Sequence, residues 1–177
     1  IQGKQIKHVQ WSPSGDQIAF TQFPNRLGAR EGKLYVMASD GSTVRTLAEL
    51  DTSLHWLHAS EPVWHPDGQR VAFVQVDPSC DQGIETFCSN VYVADVSTDS
   101  VEPLTVFEER TVVAPHWIDE GRSMALLVSS LSDPETYEIY RLLPDGRGIE
   151  PTPMRIPCAV LAEKVVQDGV ESYEDDE

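Results

Sequence analysis

The chain has 177 residues, with 13 Lys and Arg against 29 Asp and Glu and a formal net charge of −16. That balance excludes the basic patches that nucleic acid and anionic membrane surfaces require. A hydrophobic content of 40% suits one packed domain, and no apolar run is long enough for a membrane-spanning helix. The chain starts at Ile1 without a methionine or a signal-peptide pattern, as expected of a processed product or a piece of a longer polypeptide.

Taken in chain order, the elements repeat. An extended stretch from Ile6 to Gln10 leads into Trp11-Ser12-Pro13-Ser14-Gly15, and an apolar run Ile18-Ala19-Phe20 follows. Leu34 to Met37 is the next extended run, Asp40-Gly41 the next turn, and Val44 to Leu47 the last strand. The second unit reads Trp64-His65-Pro66-Asp67-Gly68, Val71-Ala72-Phe73, Val91 to Ala94, Ser97-Thr98-Asp99, and Val101 to Leu104. The third reads Trp117-Ile118-Asp119-Glu120-Gly121, Met124-Ala125-Leu126, Ile139 to Leu142, Asp145-Gly146, and Ile149 to Met154. The three tryptophans recur every 53 residues. A fixed period of this length marks one supersecondary unit used three times.

Proline presets φ and glycine accepts positive φ without steric cost, so these phrases are turns. The third copy loses the proline and keeps Gly121, which makes glycine the shared part. The central runs show no polar alternation and are expected to be covered on both faces. Pro151 and Pro153 cannot donate to a ladder, so the last strand is expected at an edge or broken. Each unit is a four-stranded antiparallel meander, and radial stacking of such sheets buries their faces. The expected fold is all-β, with three propeller blades at about 5–50, 58–106 and 111–154. Residues 155–177 form an extension ending in an acidic tail, expected to be disordered from about Gln167. The repeat tryptophans and Tyr35, Tyr92 and Tyr140 are expected in the core between blades.

The pattern of Trp-Ser-Pro and glycine, then Ile-Ala-Phe, Leu-Tyr-Val-Met, Asp-Gly-Ser and Arg-x-Leu resembles the TolB-like propeller repeat over roughly residues 5 to 154. The resemblance implies six or more blades in a ring, and three cannot close one. The chain is then half of a longer propeller, or two copies pair as a homodimer completing six blades. In the latter case Ile156 to Val166 would lie near the seam. The resemblance also implies a periplasmic or secreted location and docking of a protein partner on a propeller face.

Outside the repeat, Cys80 and Cys88 flank seven residues in an insertion of the second blade. This suits a local disulfide in an oxidising compartment or two free thiols in a reducing one. The export common in the resembled family favours the disulfide. Cys158 is left over. Candidate partner-binding residues are Phe23 and Arg26 in the loop from Gln22 to Gly32, and His55, Trp56 and His58 in the linker between the first two blades. His116 precedes Trp117 as Gln10 precedes Trp11, and both either line the central channel or pack between blades.

No Gly-x-Ser-x-Gly elbow, His-Glu-x-x-His helix or glycine-rich phosphate loop occurs. The groups His55, His58, His65 and Asp67 could meet around zinc, but the repeat itself asks for polar residues at the last two. Asp77, Asp81 and Glu85 lack EF-hand spacing. The expectation is no metal and no cofactor. The function expected is a non-catalytic scaffold for protein–protein binding. The alternative is the substrate-access propeller of a prolyl-oligopeptidase-like serine peptidase whose catalytic domain is absent here. A sugar- or ion-binding propeller is a third reading.

Overall fold

A computed structural model describes residues 4–24, 31–51, 61–77, 88–130, 132–143 and 148–157. These form twelve strands: β1 (Lys4–Trp11), β2 (Gln17–Pro24), β3 (Glu31–Ala38), β4 (Val44–Asp51), β5 (Val63–Trp64), β6 (Arg70–Asp77), β7 (Cys88–Asp95), β8 (Val101–Pro103), β9 (Arg110–Ile118), β10 (Ser123–Ser130), β11 (Asp133–Leu142) and β12 (Ile149–Pro157). They make three four-stranded sheets in the orders β1-β2-β3-β4, β5-β6-β7-β8 and β9-β10-β11-β12, every described pairing antiparallel. Each sheet is a meander, as the repeat predicts.

The turns explain why the repeat folds this way. In blade one Gly15 N–H donates to the Ser12 carbonyl at 2.9 Å, and in blade two Gly68 N–H donates to the His65 carbonyl at 2.9 Å. Both glycines sit at positive φ, +76° and +71°. Without its proline, the third turn becomes a short 3-10 turn over Asp119–Gly121, with positive φ at all three residues. Blade two lacks glycine at its second turn, and Asp99 takes the left-handed position instead, at φ 59°. Asp95 supports that turn by accepting from the Ser97 and Thr98 N–H groups at 2.8 and 2.9 Å.

The ladders place equivalent residues in equivalent rows. Across blade one the row is Trp11, Ile18, Met37, Val44. In blade two it is Trp64, Val71, Ala94, Val101, and in blade three Trp117, Met124, Leu142, Ile149. We call this the front of each blade. The next row, on the back, is Gln10, Ala19, Val36, Arg45 in blade one and Val63, Ala72, Val93, Glu102 in blade two. In blade three it is His116, Ala125, Arg141, Glu150.

Two cores result. One joins the back of blade one, with Ala19, Leu34 and Val36, to the front of blade two, with Trp64, Val71 and Phe73. The other joins Ala72, Val74 and Val91 to Met124, Leu126 and Tyr140. Each chain of contacts runs back to front, from one blade to the next. The small central residues Ala19 and Ala72 have no exposed surface, because a neighbouring sheet lies directly on them.

Two sequence expectations are corrected. Trp11 is 57% exposed while Trp64 is 8% exposed, since no blade precedes the first among the described residues. The first insertion is shorter than expected, because β2 continues to Pro24 and β3 begins at Glu31, leaving 25–30 between them. The last strand stands at a sheet edge, as Pro151 and Pro153 require: β12 runs to Pro157, with an irregular register between Glu138 and Tyr140.

His55, Trp56, His58, Arg26, Cys80, Asp81, Glu85, Cys158 and the tail from Gln167 lie outside the described residues.

Candidate functional site

Between the tight turns of blades one and two lies a cleft of about 430 Å³. Its polar lining is Asp16, Gln17, Thr43, Arg45, Gln69 and Ser97, and Val36, Ala38 and Val96 supply apolar contact. The blade-one turn contributes Asp16 and Gln17. Strand β4 contributes Arg45, and the two turns of blade two contribute Gln69 and Ser97. Arg45 crosses the gap: its guanidinium donates to the Asp99 carboxylate and to the Val96 carbonyl. Each blade also ties its own two turns together, through Ser39 N–H to Asp16 O and Val96 N–H to Gln69 O, both 2.8 Å.

The electrostatics favour recognition over proton transfer. Hydrogen bonds from Ser14 and then Ser12 hold the Asp16 carboxyl below its ordinary pKa. A general acid or base is moved toward neutrality, and Asp16 moves the other way. Arg45 is already engaged by Asp99, while the amides of Gln17 and Gln69 and the hydroxyls of Thr43 and Ser97 line the same opening. Such a set matches the donors and acceptors of a peptide backbone.

A second, smaller concavity of about 260 Å³ lies at the opposite end of blade three, by the β10–β11 connection, between Arg110, Ser130, Ser132, Asp133, Thr136 and Glu138. Arg110 pairs with Glu138 at 3.2 Å, and the Tyr140 hydroxyl donates to the same carboxylate at 2.8 Å. The guanidinium stands 5.2 Å from the Tyr140 ring centre. These contacts brace β9 against β11.

The histidine–aspartate pair considered as metal ligands has a structural role. His65 is buried, and its Nδ1 lies 3.1 Å from the Asp67 backbone nitrogen and 2.8 Å from the Asp67 carboxylate. Its Nε2 lies 3.0 Å from the Gly121 carbonyl oxygen of blade three. The ring meets Trp117 edge-on, with centroids 4.6 Å apart. Burial opposes ionisation of Asp67, but donors from Gln69 N–H, Arg70 and His65 prevail and hold its pKa below the ordinary value. His65 therefore latches the turn of blade two to that of blade three.

Of the residues proposed for partner binding, Phe23 is corrected most sharply. It is the penultimate residue of β2, 4% exposed, and belongs to the core between blades one and two. His116 is exposed on β9, opposite Ala125, on the back of blade three and apart from the cleft lining. Gln10 uses its side-chain amide to reach Glu61 at 3.1 Å, and its carbonyl accepts from Trp64. The cleft residues Arg45, Gln69 and Ser97 escaped the sequence reading. Arg45 was visible as the arginine of the Arg-x-Leu phrase, but its reach across to blade two was not. Cys88 is buried, with Sγ 2.8 Å from the Glu108 carbonyl oxygen.

No family model and no curated protein matches the chain. Solved structures do. A prolyl endopeptidase matches with a TM-score of 0.65 and 15% identity, over 84% of this chain and 22% of that one. TolB from Acinetobacter baumannii matches with a TM-score of 0.56 and 16% identity, over 84% and 32%. The β-propeller domain of the trilobed protease from Pyrococcus furiosus, which has an open velcro topology, matches with 0.60 and 14%, over 88% and 43%. The protein has the TolB-like β-propeller repeat fold, present as three blades. The chain spans less than half the length of each of these three structures. Among the described residues, no helix is long and apolar enough to cross a membrane.

Proposed function

We propose that this chain is a non-catalytic propeller scaffold that binds a protein partner, outside the cytoplasm. The observation that carries this reading is the turn-end cleft between blades one and two. It is polar, open and lined by amides and hydroxyls, and its ionised carboxylate is held away from the range useful for catalysis. TolB among the similar structures agrees with a scaffold. A disulfide between Cys80 and Cys88 belongs to the same reading, and a non-reducing peptide map checks it.

A second reading has its own support. A prolyl endopeptidase is among the similar structures, and on this reading the blades would govern substrate access in a longer serine peptidase. Two assays on the purified chain separate the readings. Extended peptides of mixed sequence are titrated against it by fluorescence anisotropy, alongside a Gln69→Ala, Ser97→Ala double variant. Hydrolysis of a proline-containing reporter peptide is followed in parallel. Scaffold binding predicts saturable peptide binding that the double variant weakens roughly tenfold, about the worth of two hydrogen bonds. No turnover is expected. Turnover by this chain refutes the non-catalytic reading, and absence of any saturable binding removes the cleft as its site.

A further inference from the structure

The two described blade junctions share one hydrogen bond. The Trp64 indole Nε1–H donates to the Gln10 carbonyl at 3.1 Å, and the Trp117 indole donates to the Val63 carbonyl at 3.3 Å. In both cases the acceptor is the residue immediately before the tryptophan of the preceding blade. The donor heads the front row of its blade, and the acceptor heads the back row of its neighbour. The acceptor is a backbone carbonyl, so the bond forms whether that residue is Gln10 or Val63.

The ends of the array hold the two unmatched halves of that rule. At the first blade, Trp11 heads a front row with no blade ahead of it among the described residues. Trp11 is 57% and Val44 54% exposed at the two ends of that row. Ile6, 59% exposed, lies on the same face, because it stands opposite Gln22 while Trp11 stands opposite Ile18. At the third blade, the residue before the tryptophan is His116. It heads a back row whose Ala125 is only half-buried, and Ala114 beside it is exposed. The corresponding Ala19 and Ala72 are wholly buried under the next blade.

We propose that a second copy of this chain covers the front of blade one with the back of its own blade three, so that Trp11 Nε1–H donates to the His116 carbonyl of the other copy. One molecule carries both faces of the seam, so two copies satisfy two seams at once and cover the exposed Trp11, Ile6 and Val44 of each front. Three blades from each give six, within the range in which propellers close. The proposal concerns the ends of the array and does not depend on the partner reading above.

Light scattering on the purified chain at micromolar concentration is expected to give twice the 19.7 kDa of one copy. Trp11→Phe keeps an aromatic ring and loses the donor at both seams, so it should weaken association roughly five- to a hundredfold, the worth of two neutral hydrogen bonds. Trp11→Glu should give a monomer with an unchanged circular dichroism spectrum, since the side chain is already half in water. Ala114→Glu should do the same from the other end. Mixing these two monomers should restore a dimer, because one seam then joins an intact front to an intact back. A monomeric wild type overturns the proposal and leaves the face to a blade supplied in the same polypeptide. A dimer that survives both substitutions, or a mixture that stays monomeric, also overturns it. A ladder of larger species rejects the closed ring.

Discussion

Gly121 shows how one residue can answer to two demands. Its φ of +86° already favours glycine, and a Cβ there would lie 2.3 Å from the His65 imidazole. Gly68 has a similar φ but open space around it. Gly68→Ala should therefore cost about 1–2 kcal/mol, the backbone penalty alone. Gly121→Ala should cost about 1–3 kcal/mol more, the usual range for overpacking. Urea denaturation of both variants tests the order. In a His65→Ala background the excess should fall away, and a double-mutant cycle reads that coupling. The glycine was legible as a turn residue in all three repeats. Its second role was not, because the imidazole that crowds it stands 56 positions earlier in the chain.

Turns carry the acidic residues of this chain in an ordered way. Asp16, Asp40 and Asp119 are each held below the ordinary carboxylate value, first by hydrogen bonds from Ser14, Ser42 and Ser123 respectively. Asp95 goes furthest, to about 2, with Ser97 and then the N–H of Thr98 as the main causes. A carboxyl depressed by folding adds stability above its unfolded value of 3.8, and that stability is lost as pH falls toward about 2. Thermal midpoints should thus hold from pH 7 to about 4 as far as these groups are concerned, then drop. Asp95→Asn should lower the midpoint at pH 7 and flatten part of the acid drop, as followed by circular dichroism. An acid profile identical to wild type would mean that Asp95 contributes nothing there. The serines two to four places from the aspartates are local signals. The pairings of Trp11 with Ile18 and of Met37 with Val44 are equally local, because a tight turn sets each; Ile18 meets Met37 across the longer connection at 25–30. Phe23 shows the limit: a phenylalanine next to Pro24 looks like loop, and only the length of β2 carries it into the core.

At the scale of the molecule, the formal charge of −16 acts on three sheets packed in series. Like charges at this density repel within the compact state. Raising salt from near zero to about 0.15 M shortens the screening length to about 8 Å and should raise the thermal midpoint. A fall would show that ion pairs such as Arg45 with Asp99 outweigh the repulsion. The open ends matter at the same scale. Each inner junction covers an apolar row and one indole donor, and the ends of the array offer the same groups without a cover among the described residues.

What the chain alone could establish was periodic: the number of units, their strands and turns, and the TolB-like layout. Those follow from contacts between residues close in sequence, where alternation and turn chemistry are written out in order. What needed the folded arrangement was everything that crosses from one blade to another. The Trp64 bond to Gln10, the His65 latch on Gly121 and the Arg45 bridge that shapes the cleft each join residues more than fifty positions apart. Within a single repeat nothing marks those partners, since they meet only when one sheet is laid against the next.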